Sequence, residues 1–132
     1  MAEPLRELLD RRQIEDLLID YCRHLDRMAL DELAELFTTD CRVTYGPDPR
    51  LAAVGREALA GSLARMWRWR RTAHHLANVR VWLDRADTAR AESYVHAGTS
   101  DRTVARRRCS AAISTTSCAR RRAGASRSGA WT

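Results

Sequence analysis

Among the side chains of types that move protons, Tyr21, Asp26, His74 and His75 stand out, with Asn78 four residues beyond His74. Histidine is the side chain whose charge changes nearest neutral pH. A carboxylate hydrogen-bonded to one imidazole nitrogen fixes the tautomer, frees the other nitrogen to act as a base and stabilises the imidazolium that forms. An Asp26/His74 pair in an apolar pocket is therefore a candidate general base for removing a proton from carbon. Spacing alone does not separate such a pair from a satisfied structural hydrogen bond.

A site of that kind needs elements that hold an aspartate and a distant histidine together. Residues 12–27 carry Ile14, Leu17, Leu18, Tyr21, Cys22 and Leu25 at the spacing of a helix with one buried face, and Asp26 falls near its end. Tyr21 lies on that apolar stripe, so core packing and chemistry are both open to it. A second helix is predicted over 30–37, with Leu30, Leu33, Leu36 and Phe37 inward and Asp31 and Glu32 in its first turn. Cys41, Val43 and Tyr45 alternate onto one face of a strand that Gly46-Pro47-Asp48-Pro49 ends. Gly55 opens a third helix over 56–68, with Leu59, Leu63, Met66 and Trp67 as its stripe. Arg65, Arg68, Arg70 and Arg71 read as its solvated side and end. Strands over 75–84 and 89–97 follow, joined near Arg85-Ala86-Asp87, and in an extended segment His75 points opposite His74. His96 shares a face with Arg90, Glu92 and Tyr94, which suits either a pocket wall or a solvated surface. The order of elements predicts an α+β domain with helices on an antiparallel sheet.

The chain has 132 residues, enough for one domain with a sizeable core. Charges interrupt it too often for a run of ~20 apolar residues, so no membrane span is expected. The start, MAEPLRELLD, lacks the basic-then-apolar profile of a secretion signal, and a cytoplasmic location is expected. The net charge of +6 is unevenly placed. Residues 1–102 hold all 17 acids and 16 arginines, a net of −1, whereas residues 103–132 hold seven arginines and no acid. Cys22, Cys41, Cys109 and Cys118 show neither a CxxC pair nor zinc-like spacing, so no metal site is expected. Cys22 and Cys41 read as small core residues in a reducing compartment.

The segments IEDLLIDYCRHLDRMALDELAELFTTDCRVTYG and TAHHLANVRVWLDRADTARAESYVHAG resemble the SnoaL-like families of the nuclear-transport-factor-2-like superfamily. The resemblance covers about residues 8–98 and rests on Tyr21 with Leu25-Asp26, the ELF of the second helix, the Asp40 turn and the H-H-x-x-N strand. It implies a curved antiparallel sheet that N-terminal helices close into a cone-shaped α+β barrel with an apolar pocket. The nearest branch is that of scytalone dehydratase, bile-acid dehydratase and hexachlorocyclohexane dehydrochlorinase, which use a His/Asp dyad without metal or organic cofactor. By position, the resemblance makes Asp26 and His74 the dyad and Tyr21 a third catalytic residue that polarises a substrate oxygen or assists the leaving group. Tyr45, His96 and Asn78 are the substrate-binding candidates. The implied activity is a lyase, eliminating water or a related group from a small hydrophobic, cyclic, oxygenated compound, or an isomerase. The same fold also serves as a non-catalytic binding or assembly module of the dioxygenase small-subunit type. A homo-oligomer is implied; no cofactor, nucleic-acid or membrane partner is expected.

After about residue 102 the apolar periodicity stops, and residues 103–132 read as a disordered basic tail. Apart from Trp131 it lacks the aromatic interleaving that would suit nucleic acid. The family pattern requires two further long strands there, of the types GRYxD and GWRIAER. Joining the last base of each codon to the first two of the next, Ser110–Cys118 can encode GRYxDDELR and Arg122–Thr132 can encode GWRVAERRLD. A frameshift around residues 99–110 is therefore expected, leaving the barrel without its last two strands and the polypeptide with little activity.

Overall fold

The computed structural model describes residues 3–45, 47–85 and 88–100, together with the backbone of 106–119. Three helices and two antiparallel sheets make up these residues. Helix α1 spans Glu3–Arg27, α2 Leu30–Glu35 and α3 Arg56–Leu63. Strands β1 (Arg42–Thr44) and β2 (Ala52–Val54) form a small hairpin, and β3 (Arg71–Arg85), β4 (Thr88–Ser100) and β5 (Arg106–Ala119) form the main sheet in that order.

Helix α1 starts nine residues before the predicted boundary at residue 12. Pro4 suits a helix start, where an amide hydrogen has no intrahelical partner. The turns beyond it are built of helix formers such as Leu and Arg. Leu5, Leu8 and Leu9 are exposed there, so the burial pattern used to place the helix carries no signal for them. From Ile14 onward the helix packs on β3. Ile14 and Leu18 form one apolar cluster with Val81, Ala89 and Ala91. Arg11 on the same helix donates to the Val81 carbonyl.

The other end of α1 closes a second cluster. Leu25 packs with Leu30 and Leu33 of the α2 region, Ala53 of β2, and Leu59 and Leu63 of α3. Tyr21, Cys41, Val43 and Tyr45 pack against it, as the alternation through β1 predicts. Leu59 is fully buried. Leu59→Ala should destabilise the fold by about 2–5 kcal/mol, the usual effect of emptying such a site, read as a lower urea midpoint.

Two backbone devices shape the site. The chain leaves α1 through Met28, at φ 56. Met28 N–H donates to the Leu25 carbonyl at 3.1 Å and Ala29 N–H to that of His24 at 2.9 Å. This paired pattern caps a helix C-terminus when the residue just past its end adopts the left-handed conformation. In β3, Asn78 also has positive φ, 51°. It lies between the pairs Ala77↔Tyr94 and Arg80↔Glu92, where two residues of β3 face one of β4. The resulting bulge resets the alternation. Thr72, His74 and Leu76 before it, and Val79, Val81 and Leu83 after it, are the less exposed residues, whereas Arg71, Ala73, His75, Ala77 and Arg80 are exposed. Without the bulge, Arg80 and Trp82 would take the places of Val79 and Val81 under α1.

Strand β2 falls where the sequence pattern marks no element; its three residues, Ala52–Val54, give too short an alternation to read. One expectation needs correction. The third helix gives way at Leu63 to a 3-10 turn over Ala64–Arg68, and Trp67, expected in its apolar stripe, is 60% exposed. Strand β5 runs through residues expected as a tail, pairing with β4 from Thr88↔Ala119 to Ser100↔Arg106. The open edge of β4 offers a ladder of backbone hydrogen-bonding groups to any extended segment, and Ile113, Thr115 and Thr116 are β-branched residues that favour that state. The remainder of the expected tail, 103–105 and 120–132, lies outside the described residues, as does the turn at 86–87.

Candidate active site: the Asp26–His74 pair

The end of α1 and the start of β3 bring Asp26 and His74 together across 48 positions of sequence. His74 Nδ1 lies 2.6 Å from Asp26 Oδ1. The backbone N–H of His74 donates to Asp26 Oδ2 at 3.0 Å, and the Thr72 hydroxyl is 3.1 Å from Oδ1. The carboxylate thus faces three groups on one strand. A charged acceptor shared among such donors makes short, directional bonds. With Oδ1 accepting from Nδ1–H, the imidazole carries its lone pair on Nε2, free to take a proton. The His74 side chain is 11% exposed and that of Asp26 30%, so the imidazole is the drier member of the pair.

Tyr21, five residues before Asp26 on α1, meets Tyr45. Their hydroxyl oxygens are 3.1 Å apart, and the Tyr21 ring stands edge-on to Phe37 with centroids 6.0 Å apart. Burial pushes both phenols above the ordinary tyrosine range, and in Tyr21 the neighbouring Tyr45 adds to the effect. Both therefore stay protonated at neutral pH. One hydroxyl hydrogen is used between the two oxygens, which leaves the other free to donate to a third oxygen.

The remaining candidates are placed elsewhere. His96 pairs with His75 across the β3–β4 ladder, their rings 6.5 Å apart, and both are exposed on the face opposite His74. Strand alternation puts His96 on one face with Glu92 and Tyr94, all three exposed. Asn78 is exposed at the bulge, where its positive φ accounts for the residue type. Thr72 is the residue that the spacing does not disclose. It can be found only by noticing that it lies two positions before His74 on the same strand face. A surface hollow of about 530 Å³ opens between α2 and α3, lined in part by Asp31, Glu35, Arg56 and Glu57; it includes none of the candidate residues. Among the described residues no group of three or more His, Cys, Asp or Glu side chains is placed to hold a metal ion. Nor is any described helix long and apolar enough to cross a membrane.

Cys22, one turn before Asp26, is buried, and desolvation pushes its thiol up to about 11, with the Asp26 charge adding to this. Thiol reagents act on the thiolate. Native Cys22 should therefore resist maleimide at pH 8 and react only as pH rises toward 11 or the fold opens. Peptide mapping of the labelled protein checks this, and rapid native labelling at pH 8 would contradict the buried placement.

Helices laid on an antiparallel sheet are the arrangement of a nuclear-transport-factor-2-like α+β domain. More narrowly, the chain belongs to the SnoaL-like domain family, which it matches over residues 6–131. That match passes the break expected around residues 99–110 and gives the frameshift no support. Among solved structures, the chain is similar to a candidate scytalone dehydratase from Novosphingobium aromaticivorans, at 31% identity over 82% of this chain and 70% of that one, with a TM-score of 0.69. LinA shares the fold at 18% identity and a TM-score of 0.66, over 96% of this chain and 99% of that one. So does the β subunit of a candidate aromatic-ring-hydroxylating dioxygenase from N. aromaticivorans, at 16% identity and a TM-score of 0.68, over 83% and 78% of the two chains. No curated protein matches the sequence.

Proposed function

We propose that this protein is a lyase that needs no cofactor and eliminates water, or a related leaving group, from a small hydrophobic cyclic oxygenated compound. The observation that carries the reading is the 2.6 Å contact between His74 Nδ1 and Asp26 Oδ1, which leaves Nε2 as the free base. In the reaction His74 Nε2 takes a proton from the carbon beside a carbonyl, and Asp26 stabilises the imidazolium. The spare hydroxyl hydrogen of the Tyr21–Tyr45 pair bonds the carbonyl oxygen as it gains charge. The C–O bond at the next carbon breaks, a C=C bond forms, and the proton held by His74 leaves with the departing hydroxide as water. Return of that proton to a different carbon gives isomerisation instead. The 31% identity to a candidate scytalone dehydratase supports the dehydratase form.

The test uses the whole chain in deuterated water with a panel of β-hydroxy and β-halo cyclohexanones and tetralones. Proton NMR should show catalysed loss of the signal from hydrogen on the carbon beside the carbonyl, followed by loss of water or halide. Binding of panel members without either change would identify a non-catalytic ligand-binding module and overturn the proposal.

A further inference from the structure

Thr72 contributes to the site in a way that neither its strand position nor its size requires. Its hydroxyl has one hydrogen and two acceptors in range, Asp26 Oδ1 at 3.1 Å and the Leu25 carbonyl at 3.3 Å. The Leu25 carbonyl already accepts from Met28 N–H at 3.1 Å in the turn that ends α1. Asp26 is nearer and charged, so it is the better acceptor.

Asp26 needs such a donor because of where it sits. It is the second-last residue of α1, at the end where the unpaired carbonyls give the helix a partial negative charge and disfavour an anion. Its side chain is also 30% exposed, so water competes for its oxygens. Two rigid bonds from β3 oppose this pull. The His74 N–H holds Oδ2, and the Thr72 hydroxyl holds Oδ1, the same atom that meets Nδ1.

We infer that Thr72 is a positioning residue: its hydroxyl locks the Asp26 carboxylate so that His74 is kept in the Nδ1–H tautomer, with the Nε2 lone pair left as the base. The catalytic meaning of this lock rests on the function proposed above; the lock itself does not. β-Propensity gives no reason to have threonine here, since valine has the same branched shape and suits a strand as well. Thr72→Val therefore removes the donor and keeps the packing, and Thr72→Ser keeps the donor and removes the methyl.

The experiment is ¹H–¹⁵N NMR of the imidazole in ligand-free protein, under conditions where the ring is neutral. The wild type should show a slowly exchanging Nδ1–H proton and ¹⁵N shifts of a single tautomer, and His74→Gln should delete that signal and so assign it. In Thr72→Val the proton should exchange with water at least tenfold faster and the ¹⁵N shifts should move toward a tautomer mixture. Thr72→Ser should restore the wild-type pattern. Circular dichroism should show the same fold in all of them. An unchanged signal in a folded Thr72→Val, or a Thr72→Ser that behaves like it, overturns the inference. Because no substrate enters the measurement, absence of elimination activity would sink the function without touching this result, and the converse also holds.

Discussion

His74→Gln is expected to slow removal of the carbon-bound proton by about 10²–10⁴-fold, the range that a well-placed general base supplies. Glutamine preserves much of the histidine volume, and its amide N–H can donate to Asp26 Oδ1 as Nδ1–H does. No amide atom, however, can take a proton near neutral pH. The backbone N–H of residue 74 still reaches Oδ2, so the tie between α1 and β3 survives. The thermal midpoint should accordingly stay within a few degrees of the wild type. Deuterium exchange into a responsive cyclic ketone gives the rate, and a thermal melt checks the fold. Full exchange activity in a folded His74→Gln protein would remove the dyad from the mechanism. A comparable loss in His75→Gln would be equally damaging, because His75 is exposed on the other face of the sheet.

Asp26 and His74 stand out in the sequence because each follows a strong pattern. Asp26 ends a long apolar period, and His74 lies in an extended run whose alternation separates it from His75. What joins them is tertiary: 48 positions of chain return β3 to the end of α1, and no local period encodes that contact. The resemblance to a known family suggests the pairing, and in the structure the two side chains lie 2.6 Å apart. His96 shows the limit of pattern reading. Its spacing cannot tell a buried face from an exposed one until the partner of His75 is known, and the ladder pairs the two histidines on the exposed side. Asn78 is a related case, since a histidine–asparagine spacing carries no sign of a bulge. Positive φ at Asn78 gives the residue a backbone reason to be asparagine. The basic stretch after residue 102 is a different case. Composition reports side chains, whereas the pairing of β5 with β4 is a matter of backbone.

Asp26→Asn is the second large effect, and it follows from counting donors and acceptors. The carboxylate has two acceptor oxygens facing two N–H groups of His74, one of the backbone and one of the ring. Asparagine offers only one oxygen. The backbone N–H cannot change its role, so the asparagine oxygen must take the place of Oδ2 and the NH₂ group must face the ring. Nδ1 can then only accept, and the ring hydrogen moves to Nε2, the nitrogen that should act as base. Thr72 reinforces this arrangement, because its hydroxyl oxygen can accept from the same NH₂ group. The expected outcome is a folded protein with the wrong tautomer and a rate about 10³-fold or more below wild type, as replacing the buried aspartate of a catalytic triad by asparagine produces. ¹⁵N shifts of His74 in the neutral ring should report hydrogen on Nε2 in the variant and on Nδ1 in the wild type. If the variant kept the Nδ1–H tautomer yet lost activity, the loss would lie in the missing negative charge beside the imidazolium. If it kept both tautomer and rate, Asp26 would be a structural tie between α1 and β3 and nothing more.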